Sequence, residues 1–214
     1  MLNTFPLTEA TLLLPGPAGQ LEILATPAKY AQPAATAIIC HPHPLFGGTM
    51  QNKVVTTLSR AFHNLGLCTV RFNFRGVGKS TGHYAEGVGE IEDLLAVIQW
   101  TKQANPDSIL WLSGFSFGAY IAASVATRIE VAQLVLIAPA VQHFPMMSLP
   151  PLLAPCLVVQ GDKDDVVSPG AVYEWANTRH PHPELIRFPQ ATHFFHGQLT
   201  ELRNTIEKRF LSLP

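Results

Sequence analysis

The stretch that most constrains this chain is residues 109–120, which read ILWLSGFSFGAY. Its four leading apolar residues indicate a buried strand, and the small residues at 119–127 indicate a helix. Between them lies GFSFG, a G-x-S-x-G motif at a strand–turn–helix junction. Such a turn holds the serine in a strained conformation, with its hydroxyl above the sheet and near a helix N-terminus. Ser116 is therefore a candidate nucleophile, and the flanking strand and helix argue against a chance match in a loop.

Strands alternate with helices from residue 36 onward, and the strands are continuous apolar runs. Such runs are typical of strands covered on both faces, which favours a parallel sheet. Residues 11–14 and 21–24 flank a proline- and glycine-rich turn, which predicts a hairpin. The sequence therefore predicts one domain, residues 1–214, with a doubly wound, mostly parallel α/β sheet, helices on both faces and an antiparallel N-terminal hairpin. The later strands are expected at residues 36–40, 68–72, 109–112, 134–138, 156–160 and 185–188, and the helices at residues 52–65, 90–102, 119–127, 170–177 and 198–211.

The composition argues against several classes of partner. Charged residues make up 14% of the chain and the formal net charge is −1, so we expect no nucleic-acid surface. No stretch approaches the ~20 apolar residues of a membrane span, and the N-terminus lacks the features of a signal peptide. Cys40, Cys68 and Cys156 lie in or beside apolar runs without a C-x-x-C pair, which fits reduced thiols in a cytoplasmic protein. A small molecule is the expected partner.

The first strand after the hairpin is followed by HPHPLFGG, residues 41–48, which we call the His-Pro loop. Acyl transfer by a serine needs a second backbone N–H, beside that of Phe117, to hold an oxyanion, and this loop is where it is expected. Pro42 and Pro44 have no N–H, so His43 is by elimination the best donor. The alternative is a rigid loop whose histidines make local hydrogen bonds. An H-x-H pair can also bind metal, but no cysteine or acidic ligand set accompanies it.

A second glycine-containing loop, NFRGVGKST at residues 73–81, ends like a phosphate-binding P-loop. That motif requires glycine five positions before Gly78, where this chain has Asn73. The dinucleotide motif G-x-G-x-x-G fails as well, because its last position is Thr81. We therefore interpret the segment as a tight crossing from strand to loop, in which Arg75 anchors polar contacts and no nucleotide is bound.

Candidates for an acid and a base follow the last two strands. The turn GDKDDVV, residues 161–167, carries Asp162, Asp164 and Asp165, and each could orient a histidine or cap the next helix. The loop ATHFFHG, residues 191–197, carries two histidines where the chain order Ser…Asp…His requires one. This order, with each member at a strand end, is more specific than any single motif.

The chain resembles the α/β-hydrolase superfamily, and more narrowly a group of small bacterial α/β-hydrolases described as predicted serine esterases, in HPHPLFGGTM, RFNFRGVGKS, GFSFGAY, QGDKDDVV and ATHFFHG. The resemblance covers nearly the whole chain from about residue 20. It implies that Ser116 is the nucleophile and His193 the base. It also implies that Asp164 is the acid, because the family's acid is the aspartate in G-x-x-D-x-x-V. The two neighbouring aspartates remain rivals.

The resemblance further implies a serine hydrolase, most simply a carboxylesterase. Ser116 would attack an ester carbonyl while the backbone N–H groups of Phe117 and His43 hold the oxyanion, and no cofactor or metal is expected. A thioesterase, amidase or acyltransferase uses the same machinery. A binding protein without catalytic activity on the same scaffold is the alternative from another class.

The family usually carries a large lid, and this chain has only residues 139–154 at that place. We therefore expect little or no lid, an open site and a preference for small or short-acyl esters. Phe115, Phe117, Met146 and Met147 are candidates for the acyl side of the site, and a role in the core explains them equally well.

Overall fold

The computed structural model of the chain describes residues 4–29 and 35–211. Over these ranges it contains eight strands and five α-helices that alternate from β3 onward, as the sequence predicts. The strands are β1 Ala10–Gly16, β2 Gly19–Thr26, β3 Ala35–Cys40, β4 Cys68–Phe72, β5 Ile109–Phe115, β6 Gln133–Ile137, β7 Cys156–Gly161 and β8 Glu184–Phe188. The α-helices are α1 Lys53–Asn64, α2 Val88–Ala104, α3 Phe117–Ala126, α4 Pro169–Thr178 and α5 Leu199–Phe210.

All eight strands form one sheet in the order β1-β2-β4-β3-β5-β6-β7-β8. β1 pairs with β2 in antiparallel fashion, and β2 pairs with β4 in the same way, whereas every other pair is parallel. The predicted fold class is therefore confirmed, including the antiparallel N-terminal hairpin. The strand that ends at the G-x-S-x-G motif, β5, lies in the middle of the parallel part, between β3 and β6.

Helices cover both faces of this sheet. α1 and α5 pack together on one face, where their apolar sides meet residues such as Phe115 and Val159. α2, α3 and α4 cover the other face. Every residue of α3 is buried, which explains its composition, because small side chains let a helix pack closely between neighbours.

The boundaries differ from the sequence prediction mainly around the serine. β5 continues to Phe115 and α3 begins at Phe117, so Ser116 alone separates the strand from the helix. The Ser116 N–H donates to the Ile137 carbonyl at 2.9 Å, and the Ser116 carbonyl accepts from the Ala119 N–H at 3.0 Å. Ser116 is thus hydrogen-bonded to the sheet on one side and to the helix on the other, and it is the only residue between them. Apolar periodicity alone does not reveal so short a turn.

The segment between β6 and β7 is short and largely irregular. Its only regular element in the described chain is a 3₁₀ turn at Met146–Ser148. No lid domain is inserted here, which agrees with the prediction from the sequence. None of the helices in residues 4–29 and 35–211 is long and apolar enough to cross a membrane.

Candidate active site

The turn at residues 114–118, which we call the elbow, is strained at its centre. Ser116 has φ 57° and ψ −115°, a conformation that costs energy for any residue with a side chain. Both flanking glycines are sterically required. A Cβ on Gly114 would lie 2.1 Å from the Gly118 carbonyl oxygen, and a Cβ on Gly118 would lie 2.4 Å from the Cys40 carbonyl oxygen. The glycine spacing of the motif therefore reflects close backbone contacts that hold Ser116 in place.

Two side chains from distant parts of the sequence meet at Ser116. His193 Nε2 lies 3.1 Å from Ser116 Oγ, and His193 Nδ1 lies 2.8 Å from Asp164 Oδ2. All three residues are buried, with exposed fractions of 8% for Ser116, 3% for His193 and 9% for Asp164. The chain of contacts Ser–His–Asp joins the ends of β5, β7 and β8, because the carboxyl ends of parallel strands share one edge of the sheet.

The Asp164 carboxylate is held by four hydrogen-bond contacts. Oδ1 accepts from the N–H groups of Val166 at 2.9 Å and Val167 at 2.7 Å, and Oδ2 accepts from Gln160 Nε2 at 3.0 Å as well as from His193. Burial acts to raise the pKa of Asp164. The bond from His193 and the bonds from the two N–H groups lower that pKa by more, so the net shift is downward. The carboxylate is thus kept ionised and fixed in direction.

The other two aspartates of this turn point elsewhere. Asp162 accepts from Arg187 Nε at 3.0 Å and Nη2 at 2.9 Å, and from the Tyr173 hydroxyl. The bonds from Arg187, and next the bond from Tyr173, lower the pKa of Asp162. Asp165 is exposed. Of the three carboxylates that the sequence leaves open, only Asp164 contacts the histidine.

The second histidine of the β8 loop is also separate from the serine. His196 is exposed, and its ring stacks on that of Phe194 with centroids 5.8 Å apart. The helix that follows the aspartates is capped by Ser168, whose hydroxyl accepts from the Ala171 N–H. Helix capping, one of the roles considered for the acidic turn, is thus taken by a serine.

The His-Pro loop lies directly against the elbow. The rings of His43 and Phe117 have centroids 5.1 Å apart, and the Cys40 and His41 carbonyls pack on Gly118. Within the part of the chain that the structure describes, no hydrogen-bond acceptor takes up the backbone N–H of His43 or of Phe117. In the described chain both backbone N–H groups are therefore without a protein acceptor.

The His-Pro loop also makes the local hydrogen bonds considered as the alternative. His43 Nδ1 accepts from the Leu45 N–H at 3.2 Å, and both ring nitrogens of the buried His41 contact backbone groups. The local bonds engage the rings, whereas the backbone N–H of His43 stays free. The two interpretations of this loop are therefore compatible.

A cavity of about 970 Å³ opens above the serine. Ser116, His193, Pro42 and His43 lie in its wall, and aromatic rings supply much of the remainder: Phe46, Tyr84, Phe117, Phe144 and Phe194. Of the four residues considered for the acyl side, only Phe117 lines this cavity. The prediction is wrong for the other three, because Phe115 packs on the α1/α5 face, Met146 is buried in the opposite core, and Met147 is half exposed outside the cavity.

The P-loop-like segment has a structural role. The Glu22 carboxylate accepts from the Lys79 N–H at 2.9 Å and from Asn73 Nδ2 at 2.8 Å, so a protein carboxylate occupies the turn where a phosphate would bind. Arg75 forms a buried ion pair with Asp93 at 2.8 Å, which confirms the prediction that it anchors polar contacts. In residues 4–29 and 35–211 no three His, Cys, Asp or Glu side chains group in a way that could hold a metal ion.

Sequence reasoning missed several residues of the site. Gln160 could have been noticed, because it is a polar residue in an apolar strand immediately before the acidic turn. Tyr84, Glu86 and Phe144 line the cavity from irregular segments, and no periodicity or motif marks them. Glu86 has φ 55°, an unusual value for a non-glycine residue that only the coordinates reveal.

Comparison with known proteins gives a family, a sequence relative and solved structures that match this chain. The model of the family Hydrolase_4, described as serine aminopeptidase, S33, matches residues 31–154. An uncharacterized protein of Rickettsia prowazekii is 35% identical over 218 residues, which cover 92% of this chain and 87% of that protein.

Two solved structures are similar over almost the full length. An alpha-beta serine hydrolase homologue from Coxiella burnetii is 50% identical with a TM-score of 0.93, covering 96% of this chain and 99% of that one. A serine hydrolase without lid from Xanthomonas campestris is 42% identical with a TM-score of 0.93, covering 99% of each chain. The absence of a lid in the second structure parallels the short segment between β6 and β7 here.

Proposed function

We propose that this chain, which belongs to the α/β-hydrolase superfamily of serine hydrolases, is a carboxylesterase acting on small or short-acyl esters. The observation that carries the proposal is the continuous contact from Ser116 Oγ through His193 to the Asp164 carboxylate, at the floor of an open cavity. A nucleophile, a base and an orienting acid at these distances are the elements of acyl transfer through a covalent intermediate.

In the first step Ser116 Oγ forms a bond to the ester carbonyl carbon while its proton passes to His193 Nε2. The tetrahedral intermediate then collapses, the bond to the alcohol oxygen breaks, and the leaving alcohol takes the proton from His193. Water attacks the acyl enzyme with His193 again accepting a proton. The acid is released and Ser116 recovers its proton, so no cofactor or co-reactant other than water is needed.

Asp164 supports this cycle by holding the His193 ring. Its Oδ2 accepts the Nδ1 proton, which leaves Nε2 free to accept the proton from Ser116. Its charge stabilises the imidazolium that forms at each half-reaction. The lowered pKa of Asp164 suits this role, because the carboxylate remains ionised throughout the range in which histidine titrates.

The N–H groups of Phe117 and His43 stabilise the negative charge that develops on the former carbonyl oxygen. Both lie beside the elbow without an acceptor in the described chain, and Phe117 is the first residue of α3, where unpaired N–H groups favour an anion. Donors fixed before the reaction stabilise the transition state more than the substrate, because the charge develops only there.

The proposed preference for short acyl groups rests on the shape of the site. The cavity is open, aromatic rings form part of its wall, and no lid adds the apolar surface that a long chain would need. Three free thiols, Cys40, Cys68 and Cys156, also support the proposal of a cytoplasmic enzyme.

A series of p-nitrophenyl esters from acetyl to palmitoyl tests this function, with the matching thioesters and anilides beside them. We expect higher kcat/KM for acetyl to butyryl esters than for palmitoyl esters. Ser116→Ala, which removes only the hydroxyl, serves as the control and should lower turnover by up to ~10⁶. A preference for long chains with activation at lipid surfaces would contradict the substrate class, and a folded wild-type protein without turnover would indicate a binding protein.

A further inference from the structure

The His41 side chain is fully buried beneath the His-Pro loop, and both of its ring nitrogens have a partner. Nδ1 lies 2.6 Å from the Pro42 carbonyl oxygen, and Nε2 lies 3.0 Å from the Phe74 backbone nitrogen. The ring therefore joins the loop after β3 to the loop after β4. It also packs edge-on against the Phe74 ring, with centroids 4.7 Å apart.

These two partners determine where the His41 proton lies. The Phe74 N–H can only donate, so Nε2 must be an unprotonated acceptor. The Pro42 carbonyl can only accept, so Nδ1 must carry the proton and donate it. The geometry thus requires a neutral imidazole with its proton on Nδ1.

The Pro42 carbonyl and the His43 N–H belong to the same peptide group. That group is planar and trans, so its C=O and its N–H point in opposite directions. A donor that holds the Pro42 oxygen toward the buried side must therefore turn the His43 N–H toward the cavity, which both residues line.

We propose that His41 is a positioning residue that orients the His43 N–H for the oxyanion through its hydrogen bond to the Pro42 carbonyl. The inference rests on the proposed function and adds to it a side chain that never touches substrate. Neighbouring contacts restrict the remaining freedom of the loop: the His43 carbonyl accepts from the N–H of Gly48 at 3.0 Å, and a Cβ on Gly48 would lie 2.0 Å from the Pro42 oxygen.

Two substitutions test the two hydrogen bonds of the His41 ring separately. An asparagine amide reaches about as far as Nδ1, so His41→Asn can still donate to the Pro42 carbonyl while it loses the bond to Phe74. A glutamine amide reaches about as far as Nε2, so His41→Gln can still accept from the Phe74 N–H while it loses the bond to Pro42. We expect His41→Gln to lower kcat by about 10²-fold with little change in KM, and His41→Asn to lower it by less than about tenfold.

Ser59→Ala is the matched control for the loss of a buried hydrogen bond. It removes the contact between Ser59 Oγ and Thr69 Oγ1, 3.0 Å apart, which joins α1 to β4 away from the cavity. It should lower the thermal midpoint without lowering kcat. Equal losses of kcat in the two His41 variants, or losses that follow their thermal midpoints, would assign His41 to the fold alone and overturn the inference.

If the variants do not fold, a measurement of the His41 tautomer in the wild-type protein tests the inference. In protein labelled with ¹⁵N-histidine, scalar coupling across the bond to the Phe74 amide identifies Nε2 of His41. We expect that coupling, with the ring proton on Nδ1 near neutral pH. A proton on Nε2, or no coupling to Phe74, would overturn the inference. Wild-type ester turnover, measured first, shows separately whether the proposed function stands.

Discussion

Two loops flank Ser116, and each is held by one buried titratable side chain. The His-Pro loop is held by the ring of His41, which is neutral and bonded only to backbone groups. The acid turn, residues 161–167, is held by Asp164, which is ionised and bonded to two backbone N–H groups and two side chains. The pKa of both groups is lowered, but this keeps the imidazole uncharged and the carboxylate charged.

The two loops thus depend on different properties of their buried side chains. In the proposed mechanism the His-Pro loop presents a backbone N–H, so its buried side chain need only fix a peptide plane. In the same mechanism the acid turn presents charge to His193, so the direction of one carboxylate decides its role. We therefore expect substitutions in the acid turn to affect catalysis through charge and alignment. Substitutions at His41 should affect catalysis through the orientation of the His43 N–H, and should also change stability with a distinct pH dependence.

Among substitutions in the two loops, the largest effect is expected for Asp164→Asn. The amide cannot balance the charge of the imidazolium and can favour the wrong tautomer of His193, although Ser116 and His193 remain in place. We predict a loss of about 10⁴ in kcat with the fold retained, checked by steady-state kinetics and circular dichroism. A variant with near-parental turnover would show that the carboxylate at this position is not the acid.

The effect of pH on the stability of the fold is expected to be of intermediate size. Burial, and to a smaller extent His43, lowers the pKa of His41 to about 4, against an opposing effect of the bond to Pro42. Between the ordinary pKa of about 6.5 and this value the unfolded chain binds a proton that the native state does not. Stability should therefore fall as pH falls from about 6.5 to 4, with a His41 contribution of about 3 kcal/mol.

Urea unfolding at several pH values between 7 and 4 separates the two buried groups. His41→Asn should be less stable at neutral pH but lose much of the dependence in this window. Asp164→Asn should keep that dependence, because a carboxyl group with a lowered pKa contributes its stability above its ordinary value, 3.8, and loses it only at lower pH. An unchanged pH dependence in His41→Asn would contradict the assignment to His41.

The smallest effects are expected for Asp162→Asn and Asp165→Asn. The first removes charge from a contact with Arg187 at the surface, and the second changes an exposed side chain. Because neither carboxylate contacts His193, turnover should stay within about tenfold of the parent. A loss near that of Asp164→Asn in either variant, measured with the same ester, would mean that the acid turn rearranges in solution.

Much of the site follows from the sequence because backbone sterics impose it. The glycines at 114 and 118 allow contacts that no other residue would fit, and the order of strand, serine and helix can be recognised before any coordinates. The fold class follows in the same way, since unbroken apolar strands between helices require a sheet covered on both faces.

The choice among the three aspartates does not follow from residue type. They lie within four positions of one turn, and only the direction of each side chain separates them. Asp164 could therefore be favoured only through the resemblance to the family pattern. The acyl-side prediction had the same weakness. Phe115 precedes Ser116 and Phe117 follows it, yet the turn sends one ring into the α1/α5 core and the other to the cavity. Periodicity breaks down at such a turn and cannot assign a side to either ring.

Covalent labelling with a fluorophosphonate probe tests directly whether Ser116 is an activated nucleophile. An activated serine attacks the phosphorus and expels fluoride, which leaves a stable adduct that mass spectrometry can locate. We expect one adduct, on the peptide that contains Ser116, formed at a rate that falls sharply in Asp164→Asn and absent in Ser116→Ala. A folded wild-type protein that stays unlabelled, or that carries the adduct on another residue, would contradict this expectation.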